Sequence, residues 1–243
     1  MLKPIKLINI PTDRSALEAL KKMLGDRDGE KVYQKIVRRI GREPGRELGH
    51  GMKGVVYDLG DGRVLKLTSD ASEVEAMSIL KGTDHPNLIR AYDSFVVCQG
   101  HKGVGVVVRE WVGRTLEEIE EFDSLSSDIR NAVDEADEIF GERVHEEISR
   151  TEALKGAMED LLILLGNLRF ESGEDEVKIL DGLIEGISAL SFLGIYGIDF
   201  NPKNSAVDAK GNPMIFDVGV VLLGVLTNVD RIDCPVGKRV ESP

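Results

Sequence analysis

Cysteine is scarce in this chain: only Cys98 and Cys234 occur, and they lie far apart. Two such thiols do not read as a metal site or a disulfide framework, so each is expected to be inert. Histidine is thin as well. His50, His85, His101 and His145 are scattered without ligand spacing, which gives no support to a histidine-metal site. Aromatic residues make up 5% of the chain, but hydrophobic residues reach 42%, so a globular rather than a disordered chain is expected. Long apolar runs are missing: the stretch Val220–Leu226 is far short of the ~20 residues that span a bilayer. With no leader pattern visible at the start, a cytoplasmic protein that engages no membrane is expected. Positive charge is in deficit too. A net charge of −12 repels phosphate backbones, and no nucleic-acid partner is expected.

What is present is unevenly arranged. The 243 residues allow one bilobal unit or two small domains. Between Glu117 and Glu176 stand 20 acidic residues against only Arg130, Arg143, Arg150, Lys155 and Arg169. This block has a helical period. Ile129, Val133, Ala136, Phe140, Val144 and Ile148 recur every three or four positions, and Leu154, Met158, Leu161, Leu162, Leu165 and Leu168 continue the stripe. Gly173-Glu174-Asp175 breaks to a further helix carrying Leu180, Leu183, Ile184, Ile187 and Leu190. The acidic faces are either solvated surface or a dock for a basic protein partner. At the other end, Thr12 or Asp13 is placed to cap a helix bearing Leu17, Leu20 and Leu24, and Glu30 to Ile40 reads as a second helix ended by Gly41. Lys35, Arg38, Arg39 and Arg42 form a basic cluster, expected as helix surface.

Several short motifs follow one another. Gly49-His50-Gly51-Met52-Lys53-Gly54-Val55-Val56 reads G-x-G-x-x-G-x-V and runs into β-formers rather than a helix, which argues against a dinucleotide fingerprint. Gly60-Asp61-Gly62 is a hairpin signal, and the next strand, Val64-Leu65-Lys66-Leu67, carries a lysine. Ser72–Leu80 reads as a helix with Ser69 or Asp70 as N-cap and offers Glu73 and Glu75. Leu88–Tyr92 and Val104–Val108 read as strands. Farther on, Asp199 is followed five positions later by Asn204, and Asp217 stands ahead of Val218-Gly219 after a short hairpin. Two carboxylates and one amide suit magnesium, a hard cation that prefers oxygen ligands.

Taken in order, these motifs resemble the protein-kinase-like superfamily over about residues 46 to 220. The resemblance implies an α+β, bilobal protein-kinase-like fold with a small β-rich N-lobe and a reduced helical C-lobe of long acidic helices. Its parts would be a helical extension over 1–45, an N-lobe over 46–112 and a C-lobe over 113–243, with a catalytic loop at 197–204 and a metal loop at 216–219. It further implies ATP and Mg²⁺ as cofactors. Asp199 would orient the acceptor hydroxyl, Asn204 and Asp217 would hold metal, and Lys66, paired by Glu75 with Glu73 as the other choice, would fix the phosphates. Gly49, Gly51 and Gly54 would cover them. Val56, Glu110 and Val112 would complete the nucleotide site, with Trp111 either bordering the adenine or filling a core. A protein Ser/Thr hydroxyl is the first choice of acceptor, a small-molecule alcohol the alternative, and a pseudokinase-like binding module the reading outside catalysis.

The pattern also departs from ordinary protein kinases. Gly197-Ile198 replace the usual His-Arg before the catalytic Asp, Asn201 replaces the lysine two positions after it, and Arg109 stands at the gatekeeper position. No Ala-Pro-Glu segment follows Gly219. In this the chain is similar to RIO-type atypical kinases and aminoglycoside-type phosphotransferases. Val220–Leu226 is expected to pack as a last strand or short helix, and the tail from Asp233 to be loose.

Overall fold

Valine-rich segments separated by glycine turns build a β-sheet, and leucine-rich segments of helical period build a separate set of helices, so the protein is mixed α+β. The computed structural model describes residues 6–7, 15–51, 53–145, 150–196, 200–208, 210–216, 221–222 and 229–234. The chain divides into two compact units. One contains residues 1–82, 91–111 and 227–243, and the other 83–90 and 112–226.

The sheet unit contains β1 (Lys6–Leu7), α1 (Ala16–Leu24), α2 (Asp26–Ile40), β2 (Glu47–Gly51), β3 (Gly54–Asp58), β4 (Arg63–Thr68), α3 (Ala71–Leu80), β5 (Ala91–Gln99) and β6 (Lys102–Glu110). A last strand, Asp230–Ile232, returns to pair in parallel with the edge of β5. The order across the sheet is Asp230–Ile232, β5, β6, β4, β3, β2, with β1 pairing the start of β6. Strand side chains alternate between faces, and each face has its own cover. On one face Val55, Tyr57, Leu65, Leu67, Phe95, Val97, Val104, Val106 and Val108 form a single core with Ala16, Leu20, Val32, Tyr33 and Ile36 of α1 and α2. The N-terminal helices therefore belong to the sheet unit. Ser15 caps α1, accepting from the Glu18 amide at 3.2 Å; Thr12 and Asp13, expected in that role, lie outside the described residues. α2 starts four residues earlier than its apolar period implies and ends at Gly41, whose φ of 78° closes the helix.

The basic cluster of α2 is tied into this unit. Arg39 pairs with Asp93 at 2.8 Å and Asp230 at 2.6 Å, Lys35 with Asp233 at 2.8 Å, and Arg42 with Asp61 at 3.0 Å. Cys98 and Cys234, expected as inert thiols, form a disulfide. The tail is therefore held through Cys234, and residues 235–243 lie outside the described residues.

The helical unit holds α4 (Asp123–His145), α5 (Arg150–Glu171), α6 (Glu174–Phe192), β7 (Ile195–Tyr196), β8 (Ser205–Val207), β9 (Pro213–Ile215) and β10 (Val221–Leu222). α4 packs on α5 and α5 on α6; Arg169 and Asp181 join the last two by an ion pair. The leucine stripes face inward: Ile129, Leu154, Met158, Leu161, Leu165, Leu180, Leu183, Ile187 and Leu190 are buried. The Val144 and Ile148 positions lie where side chains are not described. β8 and β9 form a hairpin, and Val221–Leu222 pairs antiparallel with β7. Residues 223–228 lie outside the described residues. Leu88–Arg90, read as the start of a strand, instead join this unit. The Ile89 amide donates to the Ile215 carbonyl at 2.9 Å, and Asn87 Nδ2 donates to the Pro213 carbonyl at 3.0 Å. A Cβ at Gly182 of α6 would stand 2.3 Å from Pro213 Cγ and 2.5 Å from Asn87 Nδ2, so glycine there admits the docked segment. Among the described residues no helix is long and apolar enough to cross a membrane.

Candidate functional site

The sheet face turned away from α1 and α2 carries the first set of candidate residues. Its antiparallel ladders line up Gly49, Val56, Lys66 and Val107 in one lateral row across β2, β3, β4 and β6. The adjacent row on the same face is Gly51, Gly54, Thr68 and Gly105. Three of those four residues have no side chain, so the face is flat beside Lys66. The glycines are bare for different reasons. A Cβ at Gly54 would meet the Leu67 carbonyl oxygen at 2.3 Å, and one at Gly105 would meet Val74 Cγ2 of α3 at 2.6 Å. At Gly49 and Gly51 a Cβ would have nothing within 4 Å among the described residues, and neither backbone is left-handed.

α3 seats itself over this face through Val74, whose carbonyl accepts from Ser94 Oγ at 2.5 Å. That seating sets the helix register. Lys66 Nζ meets Glu73 Oε1 at 2.7 Å, with side-chain exposures of 10% and 2%. The glutamate expected here was Glu75; the pair is made by Glu73. Glu75 is turned toward the edge of the sheet, where burial raises its carboxyl above the ordinary range and Arg231 draws it partly back. A helix residue two positions away points about 200° around the axis, so the two glutamates could not share one partner.

The glycine hairpin is tied to the start of α3. The Lys53 carbonyl accepts from the Ser69 amide at 2.8 Å, Thr68 Oγ1 at 3.2 Å and Ser69 Oγ at 3.1 Å. Lys53 Nζ meets Asp70 Oδ2 at 2.8 Å. Asp70 is the N-cap of α3 and accepts from the Ser72 amide at 2.9 Å. Burial works to raise its carboxyl, but hydrogen bonds from Lys53 and Ser72 outweigh it and hold the group below the usual aspartate range. Neither Lys53 nor Gly105 stood out in the sequence as a candidate. A glycine inside the valine run 104–108 was the available signal, since such a residue marks close backbone approach.

At the end of β6, Arg109 is buried on the same face as Val107 and lies opposite Val64. Glu110 is half-buried opposite Arg63, and the Trp111 amide donates to the Gly62 carbonyl at 2.8 Å. Trp111 is 45% exposed, so it is not a core aromatic. Val112, at the start of the helical unit, is buried.

The second set of candidates lies in the helical unit. Asn201 caps a short 3₁₀ turn, Pro202–Asn204, accepting from the Lys203 amide at 3.1 Å. The residue standing where kinases carry a lysine thus has a local structural task. Asn204 is buried, and its carbonyl accepts from the Phe216 amide at 3.1 Å, which extends the β8–β9 hairpin by one step. Asp199 and Asp217 lie outside the described residues, as do Gly197, Ile198, Val218 and Gly219. Among the described residues no group of three or more His, Cys, Asp or Glu side chains is placed to hold a metal.

No protein-family model and no curated protein matches the chain. Among solved structures it is similar to a MAP kinase from Leishmania major, at 14% identity and a TM-score of 0.38 over 79% of this chain. The chain spans about half (51%) of the length of that kinase. A likeness this distant says nothing about chemistry.

Proposed function

We propose that this protein is an ATP-dependent phosphotransferase. The observation that carries the reading is the buried ion pair between Glu73 of α3 and Lys66, which stands in the same lateral row as Gly49 and Val56. Burying two charges costs several kcal/mol each, and apolar replacements are often as stable, so stability is a weak reason for such a pair. A lysine held by a helix glutamate beside a glycine hairpin is suited to fixing a phosphate chain. The open space at Gly49 and Gly51 supports the same reading. Nothing among the described residues demands glycine there, whereas phosphates lying against the hairpin backbone would.

These residues fit a nucleoside triphosphate. Lys66, oriented by Glu73, would hold the α- and β-phosphates, and the backbone at Gly49, Gly51 and Gly54 would cover them. Val56 would lie against the base, with Glu110 and Val112 offering backbone hydrogen bonds and Arg109 narrowing the pocket. Asn204 and Asp217 supply the oxygen donors that suit Mg²⁺, which when bound neutralises charge on the phosphates. Asp199 would orient the acceptor hydroxyl and take its proton. The acceptor we favour is a protein Ser or Thr hydroxyl, with a small-molecule alcohol as the alternative. The excess of acid between Glu117 and Glu176 favours acceptors with basic flanks.

Calorimetric titration of ATP, with and without Mg²⁺, tests the reading. Magnesium-dependent binding is expected, weakened by Lys66→Met and by Asp217→Ala. Phosphate transfer should vanish in Asp199→Ala while nucleotide binding largely survives. No binding by the folded wild-type protein would sink the proposal.

A further inference from the structure

The returning strand Asp230–Ile232 has little to hold it besides one covalent bond. Its ladder to β5 is three residues long, pairing Asp230 with Phe95, Arg231 with Val96 and Ile232 with Val97. Strands that short are marginal alone. Arg39 adds an ion pair to Asp230 and Lys35 one to Asp233, but both aspartates are more than half exposed, and pairs of that kind contribute little. Ile232 is only partly buried against the core. Beyond it Asp233 takes a left-handed φ of 54°, a conformation that aspartate tolerates better than most residues and that ends the strand. The next residue, Cys234, is bonded to Cys98 near the end of β5.

The two sulfurs differ in access. Cys98 is fully buried, while Cys234 is half-buried at the sheet edge. We propose that the Cys98–Cys234 bridge is an exchange site for a dithiol reductant, and that its state decides whether Asp230–Ile232 occupies the β5 edge. One thiolate of the dithiol attacks Sγ of Cys234, the sulfur–sulfur bond breaks, and Cys98 leaves as a thiolate that takes up a proton. The second thiolate of the reductant then displaces Cys234, which is protonated in turn. Two electrons and two protons have passed to the protein, and the dithiol has become a disulfide. A disulfide oxidant reverses both steps. The lock is therefore closed in an oxidising compartment and open in a reducing cytosol.

Opening it reaches α3. That helix packs on β5, and Arg231 of the returning strand interacts electrostatically with Glu75 on it. Release of the strand removes this neighbour and leaves the β5 edge unpaired, next to the helix that presents Glu73 to Lys66. The lock stands whatever chemistry Lys66 serves.

Hydrogen exchange read by mass spectrometry on the full chain tests the proposal, comparing air-oxidised protein with protein treated with dithiothreitol. Denatured without reductant, the oxidised protein is expected to show no free thiol and to gain about 2 Da on reduction. Amides in segments 91–99 and 229–234 are expected to exchange about tenfold faster or more once reduced, while the β2–β3 hairpin rises by clearly less, through the loss of global stability alone. Cys234→Ser should match the reduced wild type; if that variant does not fold, the reduced wild type carries the comparison alone. Two free thiols in the oxidised protein, or equal exchange in both states, would overturn it. So would a rise in β2–β3 as large as that in 91–99 and 229–234, because the bridge would then hold the whole unit rather than one strand.

Discussion

A Cβ at Gly105 would stand 2.6 Å from Val74 Cγ2 and 2.9 Å from the Thr68 carbonyl oxygen. The missing side chain in mid-β6 is thus what lets α3 settle on the sheet, and the depth of that settling sets the reach of Glu73 to Lys66. Gly105→Ala forces the helix outward by a few tenths of an ångström at least. Overpacking of this kind costs about 1–3 kcal/mol. Thermal unfolding should record that loss, and ATP affinity should fall along with it, although residue 105 carries no polar group. An alanine variant as stable as wild type would show that α3 adjusts freely, and that Gly105 does not set its position.

The two glutamates of α3 should behave oppositely. Glu73→Gln removes one charge of the buried Lys66–Glu73 pair, and breaking such a pair costs about 3–5 kcal/mol. Denaturant titration at neutral pH reads that loss directly. Glu75→Gln removes a carboxyl that burial has raised above the ordinary glutamate value of 4.5. A raised carboxyl supports the folded state while protonated, and its contribution is lost as pH rises through the folded-state value. Wild-type protein should therefore lose stability relative to Glu75→Gln as pH climbs from about 4.5 through that raised value. Parallel stability curves for the two proteins across that interval would count against the burial of Glu75.

Cys98→Ser should lower stability by about 2–5 kcal/mol, because the bridge closes 136 residues of sequence. Unfolding curves recorded with and without reductant separate this loss from any packing defect at the buried position. Wild type should shift on reduction toward the variant, and the variant should not shift at all. A reductant-sensitive variant would mean that the remaining Cys234 pairs between two chains.

Much of this architecture is legible in the residues, for physical reasons that differ from part to part. Gly60-Asp61-Gly62 names its own turn, since both glycines need positive φ, 76° in each case. The stripes of α5 and α6 follow from 3.6-residue spacing alone. Choosing between Glu73 and Glu75 was beyond that logic. α3 buries Val74, Ala76, Met77 and Leu80 on more than one side, so no polar face marks its rotation, and the Gly105–Val74 contact that fixes it joins residues distant in sequence. The Cys98–Cys234 bond was hidden for the same reason: sequence separation carries no trace of a strand that leaves the sheet unit and returns to its edge. The docking of Asn87 on Pro213 and Gly182 likewise rests on tertiary contacts between residues distant in sequence.

Gly49 and Gly51 offer the cleanest separation of fold from function. Among the described residues an added Cβ at either position meets nothing within 4 Å, and neither glycine has a left-handed backbone. Alanine should therefore be tolerated by the fold, and removing a strand glycine gains up to about 0.5–1 kcal/mol through reduced chain entropy in the unfolded state. The same methyl group would stand between the hairpin backbone and any phosphate lying against it. Gly49→Ala and Gly51→Ala are thus expected to unfold at or slightly above the wild-type temperature while binding ATP at least about tenfold more weakly, a penalty near 1.4 kcal/mol. Gly54→Ala provides the contrast. Its Cβ would meet the Leu67 carbonyl oxygen at 2.3 Å, so stability should fall there before any ligand is added. If Gly49→Ala and Gly51→Ala both bind ATP as wild type does, the hairpin does not cover phosphates, and the glycines need another explanation.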